Sequence, residues 1–118
     1  MKTPVFTGSC PALVTPFDQN GSINYDAFGK LIDAQIAAGV DAVCVCGTTG
    51  ESATMSIREH IAAVEFCVER VNHRVKVIAG TGSNDTSAAV PFLPSGVRAC
   101  CASRVTVWSG RPSMWCSP

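Results

Sequence analysis

Three consecutive stretches decide the fold: Ala42-Val43-Cys44-Val45-Cys46, then Gly47-Thr48-Thr49-Gly50-Glu51-Ser52, then Ser56-Ile57-Arg58-Glu59. The first is apolar throughout, as in a strand covered on both faces within a parallel sheet. The second, rich in glycine and hydroxyls, is a loop. The third is a capping box, with Ser56 at the N-cap and Glu59 three positions on. The helix it opens carries Ile57, Ile61, Val64, Val68 and Val71 on one face. Strand, loop and amphipathic helix make one βα unit.

The same pattern extends to either side. Upstream, residues 10–14 are a short apolar run and read as a strand, which Pro11 weakens because proline removes a ladder donor. Pro16 and Asp18-Gln19-Asn20-Gly21 mark a turn. Asn24 caps a helix running to about Ala38, with Phe28, Leu31, Ile32 and Ile36 as its apolar stripe. Gly39 stands where a left-handed residue would end it. Downstream, residues 75–79 read as a third strand, followed by Gly80-Thr81-Gly82-Ser83-Asn84. A third helix is expected to start near Asp85 or Thr86 and is cut short at Pro91. The order β-α-β-α-β-(α) implies right-handed parallel units, and both a doubly wound sheet and a (β/α)8 barrel begin this way. In either, ligand groups gather at the carboxyl ends of the strands, where the two glycine-rich loops lie.

Composition changes near residue 90. All nine acidic residues precede it, whereas residues 91–118 hold Arg98, Arg104 and Arg111 and no acid. That tail has no sustained helical or strand period, and Val105-Thr106-Val107-Trp108 is its best strand candidate. The whole chain has a net charge of zero, which argues against a nucleic-acid-binding surface. No apolar run approaches the roughly 18 residues of a membrane span. Met1-Lys2-Thr3-Pro4-Val5-Phe6 lacks the apolar core of a signal peptide, so a cytoplasmic protein without membrane attachment is expected. The seven cysteines are odd in number and lack metal-ligand spacing, so they read as reduced, mostly buried thiols with no metal.

Gly47-Thr48-Thr49-Gly50 offers two hydroxyls and several backbone N–H groups, a nest suited to a carboxylate or a phosphate. It is not a Walker loop, since the Gly-Lys-Ser/Thr ending is missing. An ordinary βα turn is the plain alternative. Gly80-Thr81-Gly82 is a poor dinucleotide fingerprint without a third glycine. His60 and His73 read as surface histidines.

Phe6-Thr7-Gly8-Ser9, Ala12-Leu13-Val14-Thr15-Pro16-Phe17, Gly47-Thr48-Thr49-Gly50-Glu51-Ser52-Ala53-Thr54 and Val77-Ile78-Ala79-Gly80-Thr81-Gly82-Ser83-Asn84 closely resemble the dihydrodipicolinate synthase family. The resemblance covers residues 5 to about 90. It implies the first three βα units of a (β/α)8 TIM barrel in residues 1–90, and residues 91–118 as a non-family tail without clear structure, read out of frame. It further implies a class I aldolase of lysine and diaminopimelate biosynthesis, with no cofactor. There a lysine forms a Schiff base with pyruvate, and the enamine attacks aspartate semialdehyde. By match, Thr49 would hold the pyruvate carboxylate with the Thr48-Thr49 backbone, and Thr48 would act in a hydroxyl proton relay. Ser52, Ala53, His60 and Asn84 stand at positions of the family's lysine-inhibitor site. Ile57 there replaces a frequent histidine, and Ala88 replaces a glutamate.

The resemblance also implies a homotetramer, an assembly not expected of these residues alone. A barrel of this type needs about 250 residues. Lys2, Lys30 and Lys76 are the only lysines, none at the Schiff-base position, and Tyr25 is the only tyrosine. The polypeptide therefore reads as cut short and inactive by itself. Two other readings stand beside this one: a non-catalytic βα module binding a small carboxylate, and a cysteine-rich metal segment through Cys100, Cys101 and Cys116.

Overall fold

The computed structural model describes residues 3, 4 and 6–82 and the backbone of 105–108. Helix α1 spans Tyr25–Ala37. Asn24 caps it as expected, its Oδ1 accepting from Ala27 N at 3.0 Å. Gly39 follows with φ 89°, the left-handed conformation that ends the helix. Strand β1 is Ala42–Val45, helix α2 is Ile57–Val71 and strand β2 is Lys76–Gly80. Between β1 and α2, Ser52–Thr54 form a short 3-10 turn. Ahead of α1, Asp18 Oδ1 accepts from Asn20 N at 2.8 Å and Ser22 N at 2.9 Å, closing the expected turn.

The capping box of α2 is complete. Ser56 N donates to Glu59 Oε2 at 2.8 Å, and Glu59 N donates to Ser56 Oγ at 3.3 Å. Two otherwise orphaned donors are satisfied reciprocally, which contributes on the order of 1 kcal/mol. A peptide spanning residues 54–72 is expected to lose helicity on Ser56→Ala. Unchanged circular dichroism would remove Ser56 from the cap.

Strands β1 and β2 pair in parallel, with Val43 opposite Val77, Cys44 opposite Ile78 and Val45 opposite Ala79. Side chains alternate along a strand, so Val43, Val45, Val77 and Ala79 turn to one face, where they are buried with α1 and α2. Phe28 and Ile32 of α1 join them with no exposed surface. Phe66 of α2 lies between Tyr25 and Phe28, ring centres 4.9 Å and 5.6 Å away. Asp33 of α1 ties to α2 by accepting from Arg70 Nε at 3.0 Å, and to Arg74 beyond it by accepting from Nη2 at 2.8 Å. Hydrogen bonds from Arg70 and Arg74 hold the Asp33 carboxyl below the usual range.

The structure corrects four expectations. Residues 10–14 do not form a strand; only Ala12 bridges Cys44, in parallel. Leu13 N donates to Cys44 O at 2.8 Å and Cys44 N to Pro11 O at 2.9 Å. The next rung would need an N–H at position 11, and proline has none. The buried face of α2 is His60, Ala63, Val64, Cys67, Val68 and Val71, while Ile57 and Ile61 are half-buried. That stripe keeps helical spacing but is turned toward the sheet from the one read by hydrophobicity. His60, expected at the surface, is 3% exposed.

Last, the tail is not wholly without structure: Val105–Trp108 form strand β3, antiparallel to β2, with Ile78 opposite Val107. The open edge of a short parallel sheet presents unpaired N–H and C=O groups. A run of β-branched and aromatic residues suits that place. The expected third helix, and Asn84, Asp85 and Ala88, lie outside the described residues. So α1, β1, α2 and β2 are seen, and the third βα unit only by its strand.

Among the described residues no helix is long and apolar enough to cross a membrane. No group of three or more His, Cys, Asp or Glu there could hold a metal ion. Cys46 and Cys67 are buried free thiols, and Cys10 and Cys44 are half-buried free thiols.

Candidate functional site

Because β1 and β2 run parallel, their carboxyl ends open at the same edge, and the Gly47–Gly50 loop lies there. Gly50 N donates to Gly47 O at 3.1 Å, Glu51 N to Thr48 O at 3.1 Å and Ser52 N to Gly47 O at 3.4 Å. These overlapping turns use the N–H groups of residues 50–52. Nothing among the described residues accepts from the N–H groups of Thr48 and Thr49, and both residues are exposed. The arrangement presents two adjacent backbone donors and two hydroxyls to solvent, a concavity that complements an anion.

The loop is pressed onto the strand ends. Cys46 leaves β1 with φ 55°. A Cβ on Gly50 would stand 3.1 Å from Cys46 N and 3.2 Å from Leu13 O. A Cβ on Gly80 would stand 2.2 Å from Cys46 O, an overlap that excludes any side chain there. Thr15, only 4% exposed, donates from Oγ1 to Gly50 O at 2.7 Å. Burial pushes the Cys46 thiol up to about 12, with Cys44 adding to the rise, so it stays neutral near pH 7.

Of the residues expected at functional positions, Thr48 and Thr49 come together at the strand ends. Ser52 and Ala53 lie in the 3-10 turn one step along the chain, Ser52 half-buried and Ala53 exposed. His60 is buried, whereas that turn is exposed or half-buried. Its Nε2 is 2.6 Å from Gly80 O, which in the neutral ring makes Nε2 the donor. Thr15 was not singled out by sequence reasoning. The available signal was a hydroxyl at the end of an apolar run just before the turn at Pro16.

Burial lowers the pKa of His60 below its ordinary 6.5, against the Gly80 carbonyl, which raises it. The unfolded chain therefore takes up this proton first as pH falls. The stability linked to His60 is complete above about pH 6.5 and is lost as pH drops from there through the lower folded-state value. Urea midpoints should hold steady above that point and decline below it, and His60→Gln should flatten the decline. A variant with the parental slope would exclude His60 as its source.

The profile of the Dihydrodipicolinate synthetase family matches residues 5–112. The chain belongs to this family. The 4-hydroxy-tetrahydrodipicolinate synthase of Acetivibrio thermocellus is 56% identical over 90 residues, which are 76% of this chain and 30% of that protein. The crystal structure of dihydrodipicolinate synthase from Aquifex aeolicus superposes with a TM-score of 0.69 at 50% identity, over 74% of this chain and 29% of that one. That of the chloride-inhibited synthase from Acinetobacter baumannii, complexed with pyruvate, superposes with a TM-score of 0.68 at 35% identity, over 72% and 29%. The chain thus spans about 30% of the length of the synthases it matches. The parallel β1–β2 pair with both helices on one face fits part of the (β/α)8 barrel of dihydrodipicolinate synthases.

Proposed function

We propose that residues 5–90 supply the pyruvate-carboxylate cradle of a 4-hydroxy-tetrahydrodipicolinate synthase, and that the observation carrying this is the exposed Thr48-Thr49 turn with its two unbonded N–H groups. A carboxylate accepts charge-assisted hydrogen bonds from such donors. In the full reaction a lysine amine condenses with the ketone of pyruvate and releases water. Loss of a methyl proton gives an enamine, whose carbon attacks the aldehyde of aspartate semialdehyde. Thr49 holds the carboxylate and Thr48 passes protons through its hydroxyl. The amine belongs to a part of the barrel these residues do not contain, so the 118-residue polypeptide binds and does not turn over.

Titration of the 15N-labelled chain with pyruvate is expected to move the Thr48 and Thr49 amide resonances saturably, and Thr49→Val to weaken the response. Amides that do not move in saturating pyruvate would refute the cradle.

Ser52, Ala53, His60 and Asn84 form the corresponding part of the family's lysine-inhibitor site in this reading. Ile57 and Ala88 depart from its pattern, so feedback by lysine is weak. We also propose that the family part ends near residue 90 and that residues 91–118 are read out of frame. Support comes from the acid-free composition of that stretch. The antiparallel β3 is further support, since a barrel of this type has parallel strands throughout. Against it, the family profile runs on to residue 112, while relatives match over only 86 to 97 residues. A one- or two-base shift near codon 90 should restore a third helix and a strand ending in Tyr-Tyr-Asn. Verified DNA without family pattern in any downstream frame would rule this out.

A further inference from the structure

We infer that Thr15 is a positioning residue for the Thr48-Thr49 turn. The inference rests on the carboxylate reading of that turn and adds the group that sets its orientation. Thr15 lies 33 residues before Thr48 in the chain and touches neither threonine through any described hydrogen bond. Its hydroxyl is buried and reaches Gly50 O at 2.7 Å, which links the segment ahead of α1 to the loop. Among the described residues no other donor serves that carbonyl.

The consequence follows from where Gly50 stands. Its N–H closes the turn on Gly47 O. A Cβ added there would press on Cys46 N at 3.1 Å and on Leu13 O at 3.2 Å. The carbonyl is therefore held from one side by packing and from the other by Thr15. The peptide plane between Gly50 and Glu51 is fixed, and Glu51 takes the left-handed conformation at φ 57° that starts the 3-10 turn. With both ends of Gly47–Gly50 anchored, the two N–H groups between them point outward before a ligand arrives. Preorganised donors lose less freedom on binding than mobile ones. Without the Thr15 hydroxyl, a buried carbonyl loses its partner, and the cheapest remedy is for the peptide to rotate toward water.

The test uses the 118-residue chain and two variants, Thr15→Val and Thr15→Ser. Valine keeps the shape without the hydroxyl, and serine keeps the hydroxyl. Amide hydrogen exchange reads the turn and pyruvate titration reads the cradle. In Thr15→Val, exchange at Gly50, Glu51 and Ser52 should accelerate by about tenfold or more, while Val43, Val45 and Val77 stay near parental rates. Pyruvate affinity should fall by about tenfold, and Thr15→Ser should restore both. Loop amides that exchange as in the parent overturn the inference. So does an acceleration shared equally by the core amides, or a serine variant that behaves like valine. If the parent chain shows no response to pyruvate, the cradle reading fails while the exchange data still decide Thr15.

Discussion

Incubated with pyruvate and borohydride, the 118-residue polypeptide should keep its own mass of 12.3 kDa, with no imine trapped on any lysine. An ordinary lysine has a pKa near 10.4, so roughly one in 2,500 is the free amine at pH 7. Class I chemistry needs a lysine desolvated or flanked by cations. Neither described lysine is buried. Lys30 is on the outer side of α1, its side chain 75% exposed, and its ammonium sits 2.8 Å from the Asp26 carboxylate. Lys76 opens β2, so it stands at the end of the sheet opposite the Gly47–Gly50 loop. A strand rises about 3.3 Å per residue, which puts the strand's length between Lys76 and a pyruvate held at Thr49. A stoichiometric adduct on any lysine, found by mass spectrometry, would restore catalysis to these residues alone.

Phe28→Ala is expected to be the most damaging single truncation, costing about 3–5 kcal/mol. The ring has no exposed surface and forms the contact of α1 with Phe66 of α2 and with the sheet's buried face. Removing it takes away apolar burial and leaves a cavity between two helices already braced by Asp33, Arg70 and Arg74. Those ion pairs are partly exposed and cannot compensate. Urea denaturation should show the midpoint falling by roughly 2 M, or no cooperative transition at all. A loss below about 1 kcal/mol would mean that the site collapses around the smaller side chain.

The two predictions draw on different levels of the molecule. The first depends on where charge and strand polarity leave the two described lysines. The second depends on a core that the alternation of β1 and β2 brings against α1 and α2. Neither depends on the residues beyond 82.

Local rules were enough for the parts whose signals lie within one turn of chain. Asn24 with Ala27, Ser56 with Glu59, and Gly39 after α1 are contacts between near neighbours, and the sequence places them correctly. The apolar run of β1 and the glycine-threonine loop after it were equally legible, because strand period and turn chemistry agree there. The resemblance added the family, which periodicity could not choose over a doubly wound sheet. What hydrophobic pattern could not supply was decided by contacts between distant segments. His60 is buried because Gly80, twenty residues on, offers its carbonyl where β2 ends. Pro11 reduces a strand to one bridge because its missing N–H matters only once β1 lies alongside. Val105–Trp108 pair antiparallel because β2 exposes an edge. Thr15 acquires its part in the turn through a carbonyl 35 residues away. In each case the residue type is visible in the sequence, but its partner is supplied by a segment distant along the chain.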